Sequence, residues 1–222
     1  MLSWGRVRRA LQPLFLRYWL NQRSEISVKT RVEGFDIEVF PTVFHPRYFG
    51  SSSILAKYIS FLPLAGKSFL DVGCGSGLIG MCAARACALV TAVDINPDAV
   101  RCTLANAERN RLRVGARVSD LFSALDGQQF DVVACNPPFL SGTARSQADA
   151  AFYGGPDFRI ISMFAAGVRA HLRPGGSVYM ILSADIDVVR IEQMFRNHFF
   201  EVSRVLTTRW VLRETMVILC AR

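Results

Sequence analysis

The stretch Asp71-Val72-Gly73-Cys74-Gly75-Ser76-Gly77-Leu78-Ile79-Gly80 decides the fold. Lys67–Val72 runs up to it as an apolar strand, and Leu78–Ala88 leaves it as a helix of small and apolar residues. Glycines at 73, 75 and 77 let the backbone turn sharply between the two and let a ligand approach the main chain. Such a turn alone also fits dinucleotide-binding domains and a purely structural reversal.

Beyond the turn, strand and helix patterns alternate. Leu89–Val93 is a strand that ends at Asp94, and Asn96 caps the next helix with Pro97 in its first turn. That helix presents Val100, Leu104 and Ala107 on one side. Ala116–Ser119 and Phe130–Cys135 read as strands, and Asp157–Leu172 as a helix with Ile161, Phe164, Ala165, Val168 and Leu172 at helical spacing. Pro174-Gly175-Gly176 breaks the chain before a strand at Ser177–Leu182; Asp187–Phe199 is a helix. Glu201–Val211 and Glu214–Ala221 are strands close enough to pair antiparallel. The alternation predicts an α/β fold, a doubly wound, Rossmann-like, seven-stranded and mainly parallel sheet with an antiparallel C-terminal strand.

On the other side of the turn, Ile54, Leu55, Tyr58, Ile59 and Leu62 form one helical face, preceded by the turn-like His45-Pro46-Arg47. Ile26–Arg31 and Phe35–Phe40 flank Val32-Glu33-Gly34 as a β-hairpin. Residues 10–20 read as a short basic, aromatic-rich helix that packs on the domain, lies on a membrane surface or meets a partner. Residues 1–50 therefore form an N-terminal extension and 51–222 the main domain.

Composition narrows the classes. Of 222 residues, 51% are apolar, which suffices for a large core and excludes wholesale disorder. No uninterrupted apolar run reaches the ~18 residues of a bilayer span, so stable membrane insertion is not expected. The basic start, Met1–Arg9, leads into an apolar stretch cut by Arg17 with no small-residue cleavage site, which predicts a cytoplasmic protein without a secretory signal. The net charge is +8, and almost all of the positive charge is arginine. Residues 1–23 carry five arginines and no acid, and residues 101–117 carry five against Glu108 alone. Such patches attract phosphates or an acidic partner, and they equally describe a solvated face. Six cysteines without a C-x-x-C pair, and only three histidines, give no metal-ligand spacing; reduced thiols and no metal are expected.

The glycine turn, with its leading Asp71, resembles motif I of the class I S-adenosylmethionine methyltransferases. Asp94-Ile95 is similar to that family's ribose-binding acid and the apolar residue that packs on adenine. Ser119-Asp120-Leu121-Phe122 is similar to its third motif, whose acid reaches the adenine amino group. Leu172-Arg173-Pro174-Gly175-Gly176 resembles the loop before its fifth strand, and the terminal hairpin matches its antiparallel strand. The resemblance implies S-adenosyl-L-methionine as cofactor. The residues it would place around the cofactor are Asp71, Gly73, Cys74, Gly75, Gly77, Asp94, Ile95, Asp120, Leu121 and Asn136.

The buried strand Phe130–Cys135 runs into Asn136-Pro137-Pro138-Phe139, at the carboxyl end of a strand, where ligands sit in open α/β sheets. Asn136 offers an amide oxygen and Pro137 a carbonyl; the two prolines stiffen the turn and Phe139 supplies a flat apolar face. That set suits one task, holding a planar NH2 group with its nitrogen aimed at a methyl donor. The tetrapeptide resembles motif IV of the amino methyltransferases. It implies Asn136, Pro137 and Phe139 as catalytic residues and Asn136, Pro137, Pro138 and Phe139 as the acceptor-binding set.

Ala151-Phe152-Tyr153-Gly154-Gly155-Pro156-Asp157 and Val43-Phe44-His45-Pro46-Arg47 resemble segments of the HemK/PrmC-type glutamine methyltransferases of release factors. The chain departs from that pattern where Phe158 follows Asp157 in place of Gly-Leu, and where Tyr48-Phe49-Gly50-Ser51 follows Arg47 in place of a Thr-Glu pair. In length it is similar to the short archaeal and eukaryotic relatives, which implies a small activating partner protein. The function implied is N-methylation of a planar NH2 acceptor, foremost a protein glutamine. An exocyclic amine of ribosomal or transfer RNA, a small biosynthetic acceptor, and a non-catalytic cofactor-binding scaffold stay open at this point.

Overall fold

A computed structural model describes residues 26–140, 142–144, 147–209 and 215–222. The helix expected at 10–20 and the tip of the terminal hairpin, 210–214, lie outside the described residues. The chain opens on the expected hairpin, β1 (Val28–Val32) paired antiparallel with β2 (Phe35–Val39). Its two turn residues, Glu33 and Gly34, both have positive φ, as a two-residue hairpin turn that follows the strands' twist requires. The segment read as a turn at His45-Pro46-Arg47 begins a one-turn helix, α1 (Pro46–Phe49), whose cap is His45 Nδ1 accepting from Arg47 N. Gly50, at φ +67, ends α1 and starts α2 (Ser51–Ser60).

The alternating units follow as β3 (Ser68–Val72), α3 (Leu78–Arg85), β4 (Leu89–Asp94), α4 (Pro97–Arg109), β5 (Val114–Val118) and β6 (Phe130–Cys135). After them come α5 (Gln147–Ala150), α6 (Arg159–Val168), β7 (Leu172–Ser183), α7 (Val188–Arg196), β8 (Val202–Arg209) and β9 (Thr215–Ala221). Seven strands form one sheet in the order β5-β4-β3-β6-β7-β9-β8. β5 to β7 in that order run parallel, and β9 is antiparallel to both its neighbours. This is the doubly wound sheet with an antiparallel end that the sequence predicts.

Alternating side chains of each inner strand enter opposite cores. Val132, Ala134, Tyr179, Ile181 and Ile218 join the core built with the hairpin, α2, α3 and α4. Val133, Cys135, Val178, Met180 and Leu219 join the core built with α6 and α7. Strands buried on both faces carry near-continuous apolar runs, which is why they were readable.

Two local readings are corrected. Leu104 does not face inward with Val100 and Ala107; it is 41% exposed, and Thr103 and Asn106 are fully buried instead. These polar side chains occupy the inner face because they tie loops to α4. Asn106 Oδ1 accepts from Glu38 N at 2.8 Å, and its Nδ2 donates to Glu38 O and Ser76 O at 2.9 and 3.0 Å. Pro174-Gly175-Gly176 does not separate helix from strand either. The helix ends at Val168, one 3-10 turn follows, and β7 starts at Leu172. The three residues lie in a bulge between the pairs Phe130↔Leu172 and Val132↔Ser177, where a proline without N–H leaves no ladder bond unmade.

Candidate active site

The carboxyl ends of β3, β4 and β6 open on a cavity of about 730 Å³, within the usual range for a small-molecule or cofactor site. Gly73 N and Cys74 N both donate to Val93 O, at 2.8 and 3.0 Å, which folds the glycine turn over the end of β4. A Cβ on Gly73 would touch nothing within 4 Å, and one on Gly75 would meet only Val43 Cγ1 at 3.9 Å. Bare backbone therefore faces the cavity at both positions.

Gly77 is required for a different reason. Its φ is +83, and a Cβ there would lie 3.0 to 3.1 Å from Thr103, so the turn packs directly on α4. Gly77 and Asp71 stand behind the cavity wall, while Gly73, Cys74, Gly75, Asp94, Ile95, Asp120, Leu121 and the whole Asn136–Phe139 run line it. Asp71 is fully buried; its Oδ2 accepts from Gly80 N at 2.8 Å and its Oδ1 has no partner among the described residues. Burial pushes its carboxyl up to about 7, with the Gly80 amide opposing and the neighbouring Asp94 adding to the rise.

Asp94 ends β4 with its carboxylate shared between two loops. Oδ2 accepts from Gly75 N at 3.0 Å and Oδ1 from Asn96 N at 2.9 Å. Burial raises its pKa against the pull of those amides. Each oxygen keeps a lone pair for hydroxyl donors in the cavity. Ile95, 62% exposed, and Leu121 supply apolar surface on the wall, and Ser119 Oγ donates to Leu121 O at 2.9 Å to fix that loop. A dihydroxylated ribose on Asp94, a flat base against Ile95 and Leu121, and an amino-acid tail over bare glycine backbone match S-adenosyl-L-methionine in chemistry.

Asn136 follows β6 directly. Its Nδ2 donates to Ser51 Oγ at 3.1 Å and to Ser52 Oγ at 2.9 Å. Its Oδ1 is buried and has no partner among the described residues. A lone buried acceptor costs about 1–3 kcal/mol unless a donor meets it, which makes this oxygen, on a residue that lines the cavity, a candidate binding position. The loop after Phe139 is held by Leu140 N donating to Phe152 O at 2.9 Å and Gly154 N to Leu140 O at 3.0 Å. Gly154 lies so close to Pro138 that its Cβ would stand 2.2 Å from the Pro138 carbonyl oxygen.

Sequence reasoning missed several wall residues. Ser51 and Ser52 are separated from Asn136 by 85 and 84 residues, and serines at a helix start read as ordinary first-turn residues. Phe44 and Phe152, with ring centroids 5.4 Å apart, and Met216 of β9 complete an apolar part of the wall. Only the quoted segments around Phe44 and Phe152 gave a signal for them. Among the lining residues the charged side chains are Asp94, Asp120 and Arg159.

Residues 40–209 match the family model described as the methyltransferase small domain. The chain belongs to the methyltransferase small domain family. This methyltransferase is 33% identical over 159 residues to a Methanocaldococcus jannaschii protein named "Putative protein N5-glutamine methyltransferase", covering 69% of this chain and 78% of that one. It is 35% identical over 167 residues to the release factor glutamine methyltransferase of Koribacter versatilis, covering 69% of this chain but only 59% of the relative. Among solved structures, the Mtq2–Trm112 complex of E. cuniculi, described as methylating the eRF1 termination factor, superposes with a TM-score of 0.65 at 19% identity. That match covers 82% of this chain and 98% of the other. The T. thermophilus 16S rRNA N2 G1207 methyltransferase, solved with AdoMet and guanosine, also gives 0.65, at 24% identity, over 89% of this chain and 50% of that one. The methyltransferase is thus an enzyme of the S-adenosyl-L-methionine-dependent class. Among its described residues no helix is long and apolar enough to cross a membrane.

Proposed function

We propose that the chain methylates the side-chain amide nitrogen of a glutamine in a protein. The observation that carries this reading is the buried, unpartnered Oδ1 of Asn136, a residue that lines the cavity. An acceptor with nothing to accept is what an incoming NH2 group needs. When bound, S-adenosyl-L-methionine supplies an electrophilic methyl group on a sulfonium that leaves as a neutral thioether. Asn136 Oδ1 and the Pro137 carbonyl take the two amide hydrogens, and the Phe139 ring covers the plane of the amide. Held there, the nitrogen is turned out of conjugation and toward the methyl carbon; its extra proton leaves to water afterwards, so no general base is needed. Positioning of this kind lowers a barrier by up to about 7–11 kcal/mol.

Three further points support a neutral acceptor. The cavity that Asn136 lines also has Phe44, Leu140, Phe152 and Met216 in its wall, which suits an uncharged side chain. Three of the five arginines at 101–117 have a partner within the chain. Arg101 pairs with Asp98, Arg109 pairs with Glu38 at 2.8 Å, and Arg117 donates to Ala124 O at 3.3 Å. Two relatives bear the names putative protein N5-glutamine methyltransferase and release factor glutamine methyltransferase. A small activating protein, as Trm112 accompanies Mtq2, belongs to the same proposal; the isolated chain turning over at full rate would refute that part.

The test is transfer of radiolabelled methyl from S-adenosyl-L-methionine into a lysate of cells lacking this protein. Label released by protease and mapped to methylglutamine supports the reading. Label released by nuclease, or found only in small molecules, overturns it.

A further inference from the structure

We infer that Ser51 and Ser52 are positioning residues that fix which end of the Asn136 amide faces the acceptor; this rests on the function proposed above. A carboxamide is nearly symmetric in shape and opposite in chemistry at its two ends. Only its oxygen can hold an NH2 group. Turned over, Asn136 would present two N–H donors to a group that is itself a donor, and the site would reject the acceptor it is built around.

Nδ2 donates to the two serine oxygens, at 3.1 and 2.9 Å, which leaves Oδ1 buried and without a partner on a residue that lines the cavity. Both serines are buried, at 2% and 9% exposure, so solvent does not compete for those bonds. They are the first two residues of α2, and that helix is rigidly seated. Gly50 sets its start, Ile54 N closes the first turn onto Gly50 O at 3.0 Å, and Leu55, Ala56 and Ile59 are wholly buried in the core. A functional group oriented from a packed helix keeps its geometry better than one oriented from a loop. The position is also where the sequence departs from the release-factor pattern, after Pro46-Arg47.

The experiment combines Ser51→Ala and Ser52→Ala and follows three quantities. Methyl transfer to a glutamine-containing peptide should fall at least about tenfold, while calorimetric S-adenosyl-L-methionine affinity stays at the wild-type value. Exchange of the Asn136 side-chain amide protons with solvent, read by NMR on 15N-labelled protein, should be slow in the wild type and fast in the double variant. Ser52→Thr, which keeps the hydroxyl, should retain most of the turnover. Wild-type transfer in the double variant overturns the assignment. So does a loss of transfer that comes with equal losses of cofactor affinity and melting temperature, the mark of a merely structural role. Should the wild-type chain fail on the peptide, the glutamine reading fails, and the amide exchange rates still decide the serines: equal rates in both proteins refute their role.

Discussion

Replacing Gly154 with alanine would place a methyl carbon 2.2 Å from the Pro138 carbonyl oxygen. Real Cβ atoms essentially never approach closer than 3.0 Å, so 3.0 − 2.2 = 0.8 Å of backbone movement is required. Little on the Gly154 side can give. Its amide donates to Leu140 O at 3.0 Å, and its carbonyl accepts from Ile160 N at 3.1 Å, tying it to the strand-like loop and to α6. On the other side the oxygen belongs to a proline whose φ is fixed and which follows a second proline. The displacement falls on the Pro138–Phe139 peptide, next to Pro137 and Asn136, the two acceptors assigned to the NH2 group. Overpacking of this sort costs about 1–3 kcal/mol of stability, and a shift approaching 1 Å in a reacting geometry costs on the order of a hundredfold in rate. Among the described residues the hydrogen bonds that hold the glycine turn and Asp94 do not involve Gly154, so cofactor binding should be preserved. Steady-state transfer, calorimetric S-adenosyl-L-methionine binding and a thermal melt on Gly154→Ala read these separately. Wild-type turnover, or a defect confined to cofactor affinity, would refute the assignment of Asn136 and Pro137 to the acceptor.

Asp94→Ala should weaken S-adenosyl-L-methionine binding, because each hydrogen bond to a charged acceptor contributes about 1.5–3 kcal/mol; unchanged affinity in a calorimetric titration removes the ribose assignment. Asp71, whose carboxyl rises from 3.8 to about 7 in the fold, binds its proton more tightly when native. Its contribution to stability should therefore be greatest below the unfolded value and decline as pH rises through this window, levelling off above about 7, while Glu38, Asp98 and Asp131, whose pKa values the fold lowers, contribute in the opposite sense at acid pH. Asp71→Asn should flatten that decline in melts taken from pH 4 to pH 9, and an undiminished slope would place the titration elsewhere. Binding of a neutral glutamine peptide should respond weakly to salt, since Arg159 is the sole cation among the described lining residues; a steep dependence of the kind phosphate contacts produce would point to RNA.

The sheet was legible because its physics is local. Strands such as Phe130–Cys135, buried on both faces, write themselves as apolar runs. Glycines at 73, 75 and 77 hold positive φ, a demand that few other residues meet. Asp94 and Asn136 were readable as candidates for the cavity they line because one ends a strand and the other follows one, so both stand at a carboxyl end. What escaped the sequence was set by tertiary contact. Helical periodicity preferred Leu104 for the inner face of α4, yet burying Thr103 and Asn106 satisfies backbone groups of the hairpin and the glycine turn, which periodicity does not register. Pro174-Gly175-Gly176 carries the chemistry of a break, and a bulge uses the same chemistry inside a strand. Ser51 and Ser52 gain their meaning from a residue more than eighty positions away.

Asn136→Ala tests the central claim most directly. The substitution removes the orphan oxygen and leaves the glycine turn, Asp94 and the Ile95–Leu121 wall intact. Methyl transfer to a protein glutamine should be abolished while S-adenosyl-L-methionine affinity stays nearly unchanged. Normal turnover in this variant would contradict the account.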